Sequence, residues 1–388
     1  MNFDLSDEQK LLTDSAERYI RERYSFEDRR HLFKNPEGFS RQHWNAFAEM
    51  GWLALDIPEE FGGLGGSSHD LALLMEQLGG GLVAEPLVDT AVLCARLLRV
   101  CDNPELRERL LGQIATGEVV LALAHQEQQM RHEYDFELTT KARPVSNGWS
   151  LSGVKHRVFH GASADHWVVS AEIEGTGDFA LFLVARHPLG AVLDSYELID
   201  GTRAADITLD HVVIPESALL IRGEAAQEAL EEALDHAVLA TSAACLGSME
   251  QVMAMTADYL KTRVQYGQPL AQFQALQHRM AEMFIETDQA RSMLLSAIRA
   301  VESGDRQQRR LAISGAKVVV ARAQYFVSAQ GIQLHGGIGT TDEYAVGHHY
   351  KAAVVYDKRF GDGEFHLDRS NADLSPADGR PLRSALNA

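Results

Sequence analysis

The sequence predicts an α+β protein in three successive parts: a helical N-terminal domain, a central β-barrel or sandwich, and a C-terminal four-helix bundle. Three observations carry this. Apolar residues recur at helical spacing up to about residue 118. Short apolar runs bounded by turn residues follow. Beyond about residue 223, long Ala- and Leu-rich helical stretches return with short breaks between them. The expected boundaries are 1–118, 119–222 and 223–370, with 371–388 as a polar tail. A chain of 388 residues is long enough to bury such a core.

The elements follow in order. Ser6-Asp7-Glu8-Gln9 has capping-box spacing, and Leu11, Leu12, Ala16 and Ile20 continue at helical intervals. A second helix is expected over 40–50, with Trp44, Phe47 and Ala48 on one face. In Pro58-Glu59-Glu60-Phe61-Gly62-Gly63-Leu64-Gly65-Gly66, the proline and glycines break the helical pattern into a rigid loop. The loop lacks the spacing and the preceding strand of a dinucleotide fingerprint. Helices are expected over 70–78, 90–98 and 104–114, the last with Asn103 as cap and Pro104 in its first turn. Strand-like runs cover 119–125, 137–145, 149–158, 166–173, 179–185 and 205–214, and Asn147-Gly148 signals a hairpin turn. No helices alternate with them, which argues against a Rossmann sheet. Residues 225–258, 270–301 and 307–331 read as long bundle helices.

Composition narrows the function. A formal net charge of −19 argues against a nucleic-acid partner, which needs a basic surface, but a local basic cluster still suffices for an anionic small molecule. No apolar run approaches the roughly 18–20 residues of a membrane span. Met1-Asn2-Phe3-Asp4-Leu5 lacks the basic and apolar regions of a secretory signal, so a cytoplasmic protein is expected. Cys94, Cys101 and Cys245 form neither a metal pattern nor an even disulfide framework and read as reduced, buried thiols.

Two stretches offer a ligand something to bind. In Arg263-Val264-Gln265-Tyr266-Gly267-Gln268-Pro269-Leu270, followed by Phe273-Gln274, one helix is expected to end near Gly267 and Pro269 to help start the next. Arg263 at such a corner can pair with a phosphate bidentately, or close a helix C-terminus through its dipole. In Gln333-Leu334-His335-Gly336-Gly337-Ile338-Gly339, paired glycines let backbone amides approach a ligand, or simply end a helix. His335 carries no assigned role.

These stretches resemble the acyl-CoA dehydrogenase family. Pro58 begins a P-E-x-x-G-G-x-G loop. Arg263 begins R-x-x-F-G-x-x-x-x-x-x-Q, with Tyr266 at the aromatic position. Gln333 begins Q-x-x-G-G-x-G-x-x-x-E-Y, which ends at Glu343-Tyr344. The resemblance implies an acyl-CoA dehydrogenase-like fold. It implies FAD held by Arg263, Gln274, Gln333, Gly336 and Gly337, partly across a subunit interface, and so a homo- or hetero-oligomer, dimer or tetramer. It further implies α,β-dehydrogenation of an acyl-CoA to a trans-2-enoyl-CoA, with electrons passed to an electron-transfer flavoprotein.

The chain departs from the family in two places. The family's T-E-P-x-x-G-S-D, which lines the flavin ring, is replaced by His125-Gln126-Glu127-Gln128-Gln129-Met130-Arg131, and a later ring-lining segment corresponds to residues 158–165. The family's catalytic Glu, which takes the substrate α-proton, falls on Phe360, followed by Gly361. In branches that carry the base earlier, the position falls on Ala237. Asp362 is the expected base, through a displaced turn. Two alternatives remain open: a catalytically incomplete subunit completed by a related chain, and a flavin monooxygenase on the same fold, which needs no such base. Glu364 and His366 beside the same turn could also reach the site, or simply form a solvated turn.

Overall fold

The structure, a computed structural model, describes residues 5–374. Helix α1 (Asp7–Arg23) opens on the expected capping box. Ser6 N–H donates to Gln9 Oε1 at 3.0 Å and Gln9 N–H donates to Ser6 Oγ at 3.1 Å. Helix α2 (Phe26–Leu32) has too short an apolar pattern to be read from sequence, and Ser25 Oγ caps it by accepting from Asp28 N–H. Helix α3 (Arg41–Glu49) buries Trp44 and Phe47. The Pro58 loop closes on itself, with Gly65 N–H donating to Ile57 O at 2.9 Å and Gly66 N–H to Leu55 O at 2.7 Å. Helix α4 is Ser68–Gly80. The single helix expected over 90–98 is instead a buried π-helical stretch, Val88–Cys94, running into α5 (Ala95–Arg99). Helix α6 (Pro104–Ala115) starts on Asn103, whose Oδ1 accepts from Leu106 N–H at 3.1 Å.

Eight strands follow: β1 (Leu121–Ala124), β2 (Lys141–Val145), β3 (Gly148–Phe159), β4 (His166–Ile173), β5 (Phe179–Ala185), β6 (Ala191–Glu197), β7 (Arg203–Ile214) and β8 (Leu219–Arg222). They form one mixed sheet in the order β6-β7-β3-β2-β4-β5-β8, and β1 and β2 both run parallel to β4 at different heights. The β2–β3 hairpin is present, but Val145 pairs with Gly148, so the two-residue turn is Ser146-Asn147. Strands β6 and β8 were not expected. β6 is an edge strand that exposes Val192, and its pattern is too polar to read as a core strand.

Helix α7 (Glu224–Thr262) is followed by the short strands β9 (Val264–Gln265) and β10 (Gln268–Pro269). Then come α8 (Gln274–Glu302), α9 (Arg306–His335), α10 (Ala345–Lys358) and α11 (Gly363–Leu374). Helix α7 passes by length and composition for a membrane span, but 72% of that stretch is buried, as in a core helix. The expected tail lies mostly outside the described residues. Residues 371–374 close α11, where Asp373 pairs with Arg310 Nε at 3.0 Å.

The described chain forms two compact units. One, residues 24–71 and 83–237, is built around the sheet, with Trp44, Trp52, Trp167 and Phe182 fully buried. The other, residues 5–23, 72–82 and 238–374, is helical. There α9 is the central helix: α8, α10 and α11 pack on it, and Val252 of α7 meets it at Gly331. The backbones of α4 and α7 touch. A Cβ at Gly79 would lie 2.0 Å from Ala244 O, and one at Gly247 1.7 Å from Glu76 O, so only glycine fits this crossing.

Candidate functional site

The first corner is a hairpin and not the helix-to-helix turn expected from sequence. Helix α7 stops at Thr262, and β9 and β10 pair across Tyr266-Gly267. Both turn residues have positive φ, 53° and 81°, as a two-residue type I′ turn requires. Pro269 therefore sits in β10, and Gln274 is the first residue of α8. Arg263 is fixed through its backbone: its N–H donates to Tyr259 O and its carbonyl accepts from Leu270 N–H, both at 2.8 Å. Its guanidinium is exposed and makes no hydrogen bond or ion pair among the described residues, and the same holds for the side chain of Gln274.

The second corner is the end of α9. Gly336 N–H donates back to the Gln333 and Ile332 carbonyls, with Gly336 at φ 65°, ψ −140°, a combination only glycine adopts without strain. A Cβ at Gly336 or Gly337 would meet nothing within 4 Å, so both backbones face open space. The Gln333 side chain is exposed and unbonded within the described chain.

His335, to which the sequence reading gave no role, joins the two corners. Its ring is buried between Tyr259 of α7 and Tyr344, with centroids 4.6 and 4.9 Å away. Nδ1 donates to Gly331 O at 2.7 Å, and burial holds the imidazole below its usual pKa. Tyr259 lies one turn before Arg263, and His335 directly precedes Gly336. The stack therefore brings the Arg263 and Gln333 motifs to one place. The aromatic spacing around both motifs was the available signal.

The turn at Phe360 is built differently. Phe360 is 3% exposed and lies at φ 57°, in the left-handed region, with the Arg359 guanidinium 4.6 Å from its ring centroid. The buried Lys317 of α9 donates to the carbonyls of Tyr356 and Arg359. His366 is fully buried, which corrects its reading as solvated: Nε2 donates to Phe360 O at 2.8 Å and Nδ1 accepts from Ser314 Oγ at 3.1 Å. Asp362 caps α11, Oδ1 accepting from Phe365 N–H at 3.1 Å, while Oδ2 lies 3.5 Å from Lys358 Nζ. Lys317 and Ser314 stand some twenty residues before Gly336, which at 1.5 Å per residue puts this turn roughly 30 Å along α9 from the glycine corner. Arg263, Gln274, Gln333, Gly336 and Gly337 thus share one region, and Asp362 is separate from it.

In the sheet unit, the segment at the family's ring-lining position is held by a buried ion pair. Lys155 Nζ donates to Glu127 Oε1 at 2.7 Å, to Ser170 Oγ at 3.0 Å and to His125 O at 3.2 Å. Glu127 also accepts from the backbone N–H groups of Thr139 and Thr140. Burial lowers Lys155 to about 8 against the pull of Glu127. Burial alone would raise the Glu127 carboxyl, but Lys155 and these hydrogen bonds hold it well below its usual range. Ala237 is fully buried on α7 beside His236.

Two family descriptions match the chain: the acyl-CoA dehydrogenase N-terminal domain over residues 6–118 and the acyl-CoA dehydrogenase C-terminal domain over residues 227–374. Together they span well over half of the sequence, and the protein belongs to the acyl-CoA dehydrogenase family. Acyl-CoA dehydrogenase FadE12 of Mycobacterium tuberculosis is 29% identical, over 78% of this chain and 80% of its own length. The structure of a Tcur3481–Tcur3483 steroid ACAD variant superposes with a TM-score of 0.84 at 27% identity, covering 98% of this chain and 99% of that one. The ChsE4–ChsE5 complex of Mycobacterium tuberculosis superposes with a TM-score of 0.86 at 24% identity, covering 97% of this chain and 100% of that one, a likeness of fold. Membership makes the protein an oxidoreductase with FAD as its cofactor. The residues present fit that group in their chemistry: the glycine backbones at 336 and 337 face open space, and the exposed side chains of Arg263, Gln274 and Gln333 make no hydrogen bond among the described residues.

Proposed function

We propose that the protein catalyses FAD-dependent α,β-dehydrogenation of an acyl-CoA to a trans-2-enoyl-CoA, with electrons passing to an electron-transfer flavoprotein. The observation that supports this best is the joined corner of Arg263, Gln274, Gln333, Gly336 and Gly337. The side chains of Arg263, Gln274 and Gln333 are exposed and make no hydrogen bond among the described residues, as a site serving a cofactor shared across a subunit interface requires. Arg263 would pair with a pyrophosphate oxygen, and the bare backbone at Gly336 and Gly337 would let the same group approach closely. When bound, FAD supplies the hydride acceptor. The assembly is a dimer or tetramer in the cytoplasm.

The α-proton needs a carboxylate, and Asp362 is the one this chain offers at the usual turn. Its oxygens already cap α11 and face Lys358. That observation favours a second reading, in which the chain is one subunit of a heteromeric acyl-CoA dehydrogenase and a related chain supplies the base. The paired names of the Tcur3481–Tcur3483 structure support it.

Anaerobic flavin bleaching by a panel of acyl-CoAs decides between the two, with the chain alone and co-expressed with a related chain. Bleaching by the chain alone, lost in Asp362→Asn, makes Asp362 the base. Bleaching only with the partner present makes this chain half of a heteromer. A colourless protein in both preparations rejects the flavin reading.

A further inference from the structure

Asp56, Arg96, Arg99 and His236 form a charged cluster inside the sheet unit that nothing above uses. Arg96 and Arg99 stand on one face of α5, directly after the π-helical stretch, and His236 lies on α7 beside Ala237. Arg96 Nη2 donates to Asp56 Oδ1 at 2.6 Å, and Arg99 Nη2 lies 3.1 Å from Asp56 Oδ2. Arg96 Nη1 lies 2.9 Å from His236 Nε2, which accepts, since the guanidinium has only donors. The side chains of Asp56, Arg96 and Arg99 are 5%, 11% and 23% exposed.

Two guanidiniums therefore divide one buried carboxylate. A carboxylate can satisfy a single guanidinium bidentately; here Arg96 Nε and Arg99 Nε are buried without an acceptor. Glu232 contributes a more distant acid, 4.0 Å from His236 and half exposed. Burial pulls Arg96 below the usual arginine range despite Asp56. Buried donors without acceptors are costly, and a second anion would complete both forks. π-helical turns recur at functional sites, and this one sets where α5 begins.

We propose that Arg96 and Arg99 bind a carboxylate carried by the acyl group of the substrate, so that the protein acts on acyl-CoAs bearing a second acid. This rests on the acyl-CoA reading above and names the substrate class within it. Asp56 aligns the two guanidiniums from one side, and the incoming carboxylate takes their remaining donors. Ala237, next to His236, holds the position where some branches of the family carry the base, which places this stretch of α7 beside the acyl group on that reading.

The test is calorimetric titration of the full-length protein, in its native oligomer, with two matched pairs: hexanoyl-CoA against adipoyl-CoA, and decanoyl-CoA against sebacoyl-CoA. The acid-bearing member of at least one pair is expected to bind about tenfold or more tightly. Arg99→Gln should erase that margin while leaving the monocarboxylic partner's affinity in place, and Arg99→Lys should keep part of it. Arg99 is the partly exposed member, and Asp56 keeps Arg96 in its absence, so the variant retains a paired acid. Equal affinities within both pairs would overturn the inference and leave the acyl-CoA reading standing. Equal weakening of both members by Arg99→Gln would also overturn it, because it would place Arg99 on the coenzyme A phosphates or in the fold. Silence with all four ligands overturns the inference together with the reading beneath it.

Discussion

The C-terminus of α9 and its N-terminal half make opposite uses of similar residues. At its C-terminus, Gln333, Gly336, Gly337 and Arg263 are exposed, and their side chains and glycine faces have no partners within the described chain. Nearer its N-terminus, Lys317 and Ser314 bind the Phe360 turn, where the backbone carbonyls, both His366 nitrogens and both Asp362 oxygens are engaged. Polar groups left open where water or another molecule can reach them are available for binding. Polar groups closed on one another inside the protein stabilise a shape. The first end leaves its polar side chains open, and the second holds a turn in a left-handed conformation that Phe360 would not adopt alone.

The sharpest way to break this contrast is at Lys317. Lys317→Met strands the Tyr356 and Arg359 carbonyls and should cost about 3 kcal/mol in chemical denaturation. A loss under about 1 kcal/mol would mean the turn is not held from α9. At the open end the effect should fall on binding instead. Arg263→Ala is expected to weaken flavin retention about 10–100-fold, read by equilibrium dialysis of FAD, with the unfolding midpoint almost unmoved. A destabilised variant with unchanged flavin affinity would show that the corner is structural after all.

Asp362 sits between these cases, and two variants separate them. Asp362→Ala should cost about 1 kcal/mol through loss of the α11 cap, whereas Asp362→Asn keeps the cap and should be nearly neutral in thermal melts. If both cost the same, the charge towards Lys358 matters more than the cap.

The smallest effect concerns pH. Burial lowers the folded pKa of His335 below its unfolded value, so the unfolded state binds the proton more readily. The stability from keeping His335 neutral is complete above about pH 6.5 and is lost as pH falls towards the folded value. Hydrogen-exchange protection near residues 331–337, taken relative to the intrinsic exchange rate at each pH, should fall on acidification, and His335→Phe should remove that dependence. An unchanged slope in the variant would rule out His335 as the acid-sensitive link between the corners.

Much was legible in the sequence because it depends on neighbours along the chain. The capping box at Ser6, the Asn103-Pro104 helix start, β4 and β5, and the long helices 7 and 9 follow from local spacing. What was missed depends on residues far apart. Tyr266 in a type I′ turn is not the usual Asn-Gly signal, so the hairpin was read as a helix corner. The π-helical stretch has the same composition as an α-helix and differs only in what packs around it. His366 looked solvated because nothing nearby in sequence reveals Ser314 and the Phe360 carbonyl on either side of its ring.

The sequence by itself determined the helical–β–helical order, the family and the motifs around Arg263 and Gln333, because periodicity and glycine placement act over a few residues. Only the tertiary structure decided which motifs meet. His335 stacks between Tyr259 and Tyr344 and joins two motifs some seventy residues apart, while Lys317 and His366 close the Phe360 turn in the N-terminal half of α9. The physical reason is that a buried polar group must find its partner wherever the packed core presents one, and that location is set by how the helices pack, not by distance along the chain.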